Sequence, residues 1–215
     1  MSEDEALTLR MSLNMPGARK ILVAGSTHEG EEIVLSEVFS RIRERFREFS
    51  LIVAPRDPAR SKAVRGIFDS AGWSACSLSD LEKTEAEKAP DVVVIDRIGL
   101  LGKLYALAHV AFVGGSLVPL GGHNPLEPAA FSKPVLFGPH MNDFREISEM
   151  LLESGGAVRV GNAESFCETA LGFLSDEKKA RDAGERALKT FESNKGALGR
   201  TLDVIERLMV SPQRR

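Results

Sequence analysis

The sequence has little cysteine, no long apolar run and little net charge, and each absence excludes a class of protein. The two cysteines, Cys76 and Cys167, lie far apart in no metal-like spacing, which is typical of free thiols in a reducing compartment. No apolar run approaches the length of a membrane span, and the acidic segment Ser2–Glu5 is unlike a signal peptide. We therefore expect a protein of the cytoplasm.

The charge balance gives no electrostatic reason to expect nucleic acid as a partner. Lysine and arginine number 28 against 31 acidic residues, a formal net charge of −3. The arginine-rich run over residues 41–47 is interrupted by Glu44, as on a solvated helix face. With 43% apolar and 27% charged residues, the chain has the composition of an ordinary soluble domain.

Short β-branched apolar runs alternate with helical patterns along most of the chain. Runs that are apolar throughout are typical of strands buried on both faces of a parallel sheet. The alternation predicts a doubly wound, Rossmann-like α/β domain over residues 20–210, preceded by a linker or tail over residues 1–19. The predicted strands are Ile21–Ala24, Leu51–Ala54, Asp91–Ile95, Val110–Val113, Pro134–Phe137 and Ala157–Val160, with Trp73–Leu78 as a weaker seventh.

The chain after Asp176 is helical in pattern almost to Met209, and we expect a break near Asn194–Gly196. In a doubly wound sheet, ligands bind outside the carboxyl ends of the strands, where the strand order switches. The loops that follow the strands are therefore the candidate site.

The loop after the first strand, which begins at Gly25, has two interpretations. Ser26 or Thr27 could cap the next helix, whose positive end the glutamates up to Glu32 would complement, or Ser26 could contact a ligand. The loop is not a Gly-x-Gly-x-x-Gly motif, and its acids would repel a pyrophosphate. Since Glu32 stands where a zinc His-Glu-x-x-His motif needs histidine, we expect no metal site.

Arg56 follows the second strand, where a guanidinium is well placed to bind a phosphate. The alternative is that Arg56 pairs with Asp57 or another surface acid. After the fourth strand, Gly99 either lets a ligand approach the backbone or meets the need for a small residue at a helix start. His140, after the sixth strand, is a substrate contact or a surface turn residue.

The glycine-rich loop 114–128 has the highest density of candidate binding residues. Asn124 as N-cap, Pro125 at the first helical position and Glu127 three residues after the cap fit a capping box. The same helix start and its glycines could also cradle a phosphate, while the Glu127 carboxylate accepts two ribose hydroxyls. The glycine content exceeds what capping needs, so we favour binding.

These residues resemble the second domain of Kdo transferases, two-domain enzymes of the GT-B fold. The resemblance rests on four motifs and extends from about Gly17 to Met209. They are Ser26–Glu32, Val53–Arg60 around Arg56, Ala111–Ser116 with Gly121–Pro128, and Phe137–His140.

The resemblance implies a metal-independent glycosyltransferase without a cofactor. The family transfers Kdo from CMP-Kdo to a lipid A precursor in lipopolysaccharide synthesis. Residues 20–210 would be its C-terminal donor-binding domain. The nucleotide or substrate contacts it implies are Pro55, Arg56, Ile98, Gly99, Leu100, Gly122, Asn124, Pro125, Leu126 and Glu127, with Ser26, His123 and His140 as further candidates.

The chain departs from the family in two respects. The family has Met-Gly-Glu where this chain has Ile98-Gly99-Leu100, so a contact made by that glutamate side chain is missing. The general base of the family is a glutamate of the N-terminal domain, so we expect no catalytic residue in this chain. The N-terminal domain would also bind the acceptor and associate peripherally with the inner face of the bacterial inner membrane.

Two alternatives remain at this point. One is another GT-B transferase or an epimerase that uses a UDP-sugar, since uridine and cytidine differ at one ring position. The other is a nucleotide-binding module without catalytic activity.

Overall fold

The computed structural model describes residues 3–15, 19–83 and 89–210, and these form a parallel sheet with helices on both faces. The strands are β1 (Lys20–Thr27), β2 (Phe49–Pro55), β3 (Ala75–Ser77), β4 (Val92–Val94), β5 (Val110–Val113), β6 (Val135–Phe137) and β7 (Ala157–Arg159). All seven predicted strands are confirmed, including the weak one, and so is the doubly wound fold class.

The helices connect the strands across both faces of the sheet. They are α1 (Glu3–Ser12), α2 (Glu31–Arg45), α3 (Ser61–Ser70), α4 (Leu78–Leu81), α5 (Leu101–Tyr105), α6 (Leu126–Ala129), α7 (Arg145–Glu153), α8 (Ala163–Ser175) and α9 (Glu177–Val210). Among the described helices, none combines the length and apolar composition that a membrane span requires.

The strand order is β3-β4-β2-β1-β5-β6-β7, and every pairing is parallel. The chain moves outward from β1 through β2 and then returns to place β5 on the other side of β1. The order therefore switches between β1 and β5, and their carboxyl ends flank the point where doubly wound folds bind ligands.

Two expectations about the chain's ends differ from the structure. The segment expected to be a linker or tail contains α1, and Leu13 and Met15 are fully buried against the sheet. Residues 16–18 of that segment lie outside the described residues. The predicted break near Asn194–Gly196 is wrong, because α9 continues through it. A single glycine costs a helix only about 1 kcal/mol, which a helix of this length tolerates.

Candidate functional site

An open cavity of 260 Å³ lies over the carboxyl ends of β1, β2 and β4. It brings together six of the residues that the sequence singled out, from four separate stretches of the chain. These are Ser26, Pro55, Arg56, Ile98, Gly99 and Glu127, and the lining also includes Ala54, Ile95, Arg97, Leu101 and Gly102. We call this cavity the crevice.

Within the described residues, the side chains of Arg56 and Glu127 form no ion pair and no side-chain hydrogen bond. Arg56 is exposed and forms no ion pair within the described residues. Asp57, its expected alternative partner, instead accepts the Ala59 N–H in the short 3-10 turn that precedes α3. The alternative reading of Arg56 as half of an Arg56–Asp57 pair is therefore wrong, and its guanidinium is free to bind an anion.

Glu127 lines the same crevice as Arg56, and its side chain accepts no hydrogen bond from the described part of the protein. Partial removal of water by the surrounding protein raises the pKa of its carboxyl group, while the positive charge of Arg56 acts in the opposite direction. A carboxylate held this way near a guanidinium is a ready acceptor for ligand hydroxyls.

The structure does not form the capping box that was the alternative to binding at α6. The helix begins at Leu126 with Pro125 as its N-cap residue, and Asn124 Oδ1 accepts the Leu126 N–H at 3.1 Å. Glu127 does not reach back to the cap, and α6 is four residues long. Since the dipole of so short a helix is small, its N-terminus adds little to phosphate binding.

Gly99 has a left-handed backbone with φ of +89° and open space where a side chain would begin. A residue with a Cβ would be strained at this φ, so glycine is required for the turn itself. Ile98 beside it is 83% exposed. Leu100 is the N-cap residue of α5 and packs on the core below, away from the crevice.

The acids after β1 have structural roles that the sequence did not predict. Neither Ser26 nor Thr27 caps α2, whose N-cap residue is Gly30 without a side-chain hydrogen bond. The fully buried Glu31 carboxylate accepts the N–H groups of His28, Gly115, Ser116 and Leu117 at 2.8–3.0 Å. We call this arrangement the Glu31 cradle.

Glu32 is also fully buried, and Arg60 donates two hydrogen bonds to it, at 2.7 and 3.2 Å. The Thr27 hydroxyl donates a third. The charges of Glu31 and Glu32 are therefore satisfied inside the protein and do not face a ligand.

The Glu31 cradle revises the interpretation of the glycine-rich loop. Of the glycines that were candidates to cradle a phosphate, Gly115 already donates its N–H to an internal carboxylate, as do the next two residues of the loop. The glycines serve packing: a side chain at Gly114 would lie 2.4 Å from the Ser26 carbonyl, and Gly121 and Gly122 have positive φ.

The remaining candidates lie in the adjoining loops. His123 pairs with His28, with their Nε2 atoms 2.8 Å apart. His140 is partly buried and its N–H donates to the Ser116 carbonyl, while Leu126 packs on the core beneath β6. Gly122 and Pro125 lie in the loop that leads into α6, where Gly122 has a positive φ.

Two residues near the site were missed by sequence reasoning. His28 was assessed only as a zinc ligand, although its position after β1 indicated the switch point. The Tyr105 ring is buried beneath Gly25, where a side chain would come within 2.1 Å of its hydroxyl. Burial raises the pKa of this hydroxyl, and the nearby negative charge of Glu127 acts in the same direction. No pattern in the sequence indicated that contact.

Comparisons with known proteins identify relatives of the chain and a similar solved structure. No protein-family profile matches the chain. The chain is 34% identical to the 3-deoxy-D-manno-octulosonic acid transferase of Haemophilus influenzae over 189 residues, which are 87% of this chain and 44% of the relative. It is 33% identical to a bifunctional glycosyltransferase/methyltransferase of Fusobacterium nucleatum over 194 residues, 90% of this chain and 29% of the relative.

A solved structure matches nearly end to end. The C-terminal CMP-Kdo binding domain of WaaA from Acinetobacter baumannii superposes with a TM-score of 0.79 at 27% identity, covering 87% of this chain and 96% of that domain. The chain spans less than half the length of the two curated relatives above. Over most of its length the chain is homologous to part of the 3-deoxy-D-manno-octulosonic acid (Kdo) transferases, and it has the Rossmann-like fold of a GT-B C-terminal domain.

Proposed function

We propose that residues 20–210 are the donor-binding domain of a transferase that moves Kdo from CMP-Kdo to a lipid A precursor in lipopolysaccharide synthesis. The observation that carries the proposal is the pair of unsatisfied charges, Arg56 and Glu127, in one crevice. The relatives named as Kdo transferases and the solved domain named for CMP-Kdo binding support the choice of donor.

In this proposal, each crevice residue contacts one part of CMP. The Arg56 guanidinium binds the phosphate, since its planar fork matches two phosphate oxygens. The Glu127 carboxylate accepts the ribose hydroxyls, and the backbone near Gly99 approaches the nucleotide. As the bond to the sugar breaks, negative charge grows on the phosphate, and Arg56 stabilises it in the transition state.

The acceptor hydroxyl needs a general base. We assign the base and the acceptor site to the part of the family's length that this chain does not span. We also infer that the full-length enzyme works in the cytoplasm, at the inner face of the inner membrane, through peripheral contacts of that other part.

The test is a calorimetric titration of the chain with CMP and with UMP at one ionic strength, beside an assay of transfer to a lipid A precursor. We expect weak binding of CMP, weaker binding of UMP and no transfer. Tighter binding of UMP would favour a UDP-sugar enzyme, and measured turnover by this chain alone would contradict the division of roles. Binding of neither nucleotide would overturn the proposal.

A further inference from the structure

His28 and His123 form a pair at the switch point of the sheet. His28 follows β1 and His123 follows β5, so the pair bridges the two strands between which the strand order switches. Their Nε2 atoms are 2.8 Å apart, the ring planes differ by 7° and the ring centroids are 5.1 Å apart. Because the two nitrogens are close while the ring centres are far apart, the rings must meet edge to edge. An N–H···N hydrogen bond joins them.

The contact fixes how protons are arranged in the pair. A neutral histidine carries one N–H, so one Nε2 must donate and the other must accept. The accepting ring then carries its proton on Nδ1, and the donating ring has a bare Nδ1. A neutral pair therefore offers one donor and one acceptor to its surroundings. One added proton converts both Nδ1 atoms to donors and gives the pair a positive charge.

The surroundings of His123 disfavour that extra proton on its ring. Burial lowers the pKa of His123, a proton on His28 would lower it further, and the positive charge of Arg56 acts in the same direction. Asp143 acts in the opposite direction. Glu31, which contacts the His28 backbone, is already saturated by four N–H groups.

Two backbone N–H groups beside the pair are available to a ligand. The backbone N–H groups of His123 and Asn124 have no acceptor within the described residues, although the neighbouring Gly122 N–H donates to the Gly115 carbonyl. Unused N–H groups beside a pair that can become cationic are the elements of an anion-binding loop.

The order of the strands indicates which anion would bind there. Across the carboxyl edge, Gly99 follows β4, Arg56 follows β2, and the histidine pair lies over β1 and β5. A nucleotide over β4 and β2 with its phosphate at Arg56 would extend its sugar towards the pair. A sugar acid carries a carboxylate there, whereas the sugar of an ordinary UDP-hexose carries none.

We propose that the His28–His123 pair binds the carboxylate of the donor's sugar acid and takes up one proton as it does so. This rests on the proposed donor function and deepens it, because it makes the pair the feature that selects an acidic sugar over a neutral one. Since protonation accompanies binding, the affinity for CMP-Kdo falls as pH rises, whereas the affinity for CMP lacks this dependence above about pH 7.5, where its phosphate, with a pKa near 6, is fully ionised.

The test is calorimetry at pH 7.5 in two buffers of unlike protonation enthalpy, which yields the number of protons taken up on binding. We expect uptake approaching one proton with CMP-Kdo and none with CMP. In His28→Gln and in His123→Gln, uptake should vanish and CMP-Kdo should bind about tenfold more weakly, with CMP binding unchanged. Glu127→Gln is the matched control: it should weaken both ligands and retain the uptake.

Each outcome decides the question. Binding of CMP-Kdo without proton uptake, or uptake that persists in both glutamine variants, would overturn the role of the pair and leave the donor site standing. Equal uptake with CMP would overturn the assignment to the carboxylate. Failure to bind either ligand would overturn the donor site and this inference together. Should a variant not fold, nitrogen-15 NMR of the histidines in the unsubstituted chain reports the same proton on adding CMP-Kdo.

Discussion

Two groups of charged residues lie at the same edge of the sheet, and the protein treats them in opposite ways. In the Glu31 cradle, a fully buried carboxylate is saturated by four backbone N–H groups. In the crevice, Arg56 and Glu127 form no ion pair and no side-chain hydrogen bond within the described residues, and the pKa of Glu127 is raised by the loss of water. From this contrast we propose that the cradle stabilises the fold and that the crevice binds a ligand.

The largest effect should come from a substitution in the Glu31 cradle, which tests whether the cradle stabilises the fold. We expect Glu31→Gln to lower the free energy of unfolding by about 2–6 kcal/mol, because the amide group leaves two backbone N–H groups without an acceptor and each costs about 1–3 kcal/mol. Urea unfolding measures the change. Glu29→Gln, an exposed substitution in the same loop, is the matched control and should stay within about 0.5 kcal/mol. Equal effects of the two variants would remove the structural role of the cradle.

A substitution of Arg56 in the crevice should change ligand binding and not stability. We expect Arg56→Ala to weaken CMP binding by about 1.5–3 kcal/mol, the usual worth of a hydrogen bond between charged groups, with little change in stability. Titration of CMP at one ionic strength measures it. Arg41→Ala, which removes an exposed arginine paired with Glu37 on α2, serves as the control. Unchanged CMP affinity in Arg56→Ala would exclude Arg56 from the site.

The smallest expected effect belongs to Glu127. We expect Glu127→Gln to weaken CMP binding by about 1–2 kcal/mol, since a charged acceptor is replaced by a neutral one and one oxygen becomes a donor. The thermal midpoint should stay nearly unchanged. Deoxy-CMP, which lacks one ribose hydroxyl, should bind the unsubstituted chain less well than CMP. That preference should shrink in the variant, and an undiminished preference would contradict the ribose contact.

The sequence correctly predicted the features that depend on residues close to one another in the chain. All seven strands follow from apolar runs, and their alternation with helices leads to the fold and to the edge where ligands bind. Arg56, Gly99 and Glu127 were found because each follows a strand of that edge, and the structure places them around one cavity. Their binding roles remain predictions.

The interpretations that failed concern residues whose contacts lie far away in the chain. Glu31 was read as complementing its own helix, but its partners Gly115 and Ser116 are 84 and 85 residues away. A local pattern cannot show that a distant loop offers its N–H groups to that carboxylate. The residues Asn124 to Glu127 match a capping box, but a local match cannot show whether the glutamate side chain turns back to the cap.

The most direct test of the account is a nitrogen-15 NMR titration of the chain with CMP. If the crevice binds the nucleotide and the cradle is structural, the largest shifts should occur at the amides of Arg56, Gly99 and Glu127, with Ser116 and Leu117 nearly unmoved. If Ser116 and Leu117 shift most, the phosphate has displaced the Glu31 carboxylate. The cradle would then be the ligand site, and the central distinction drawn between the two groups would be wrong.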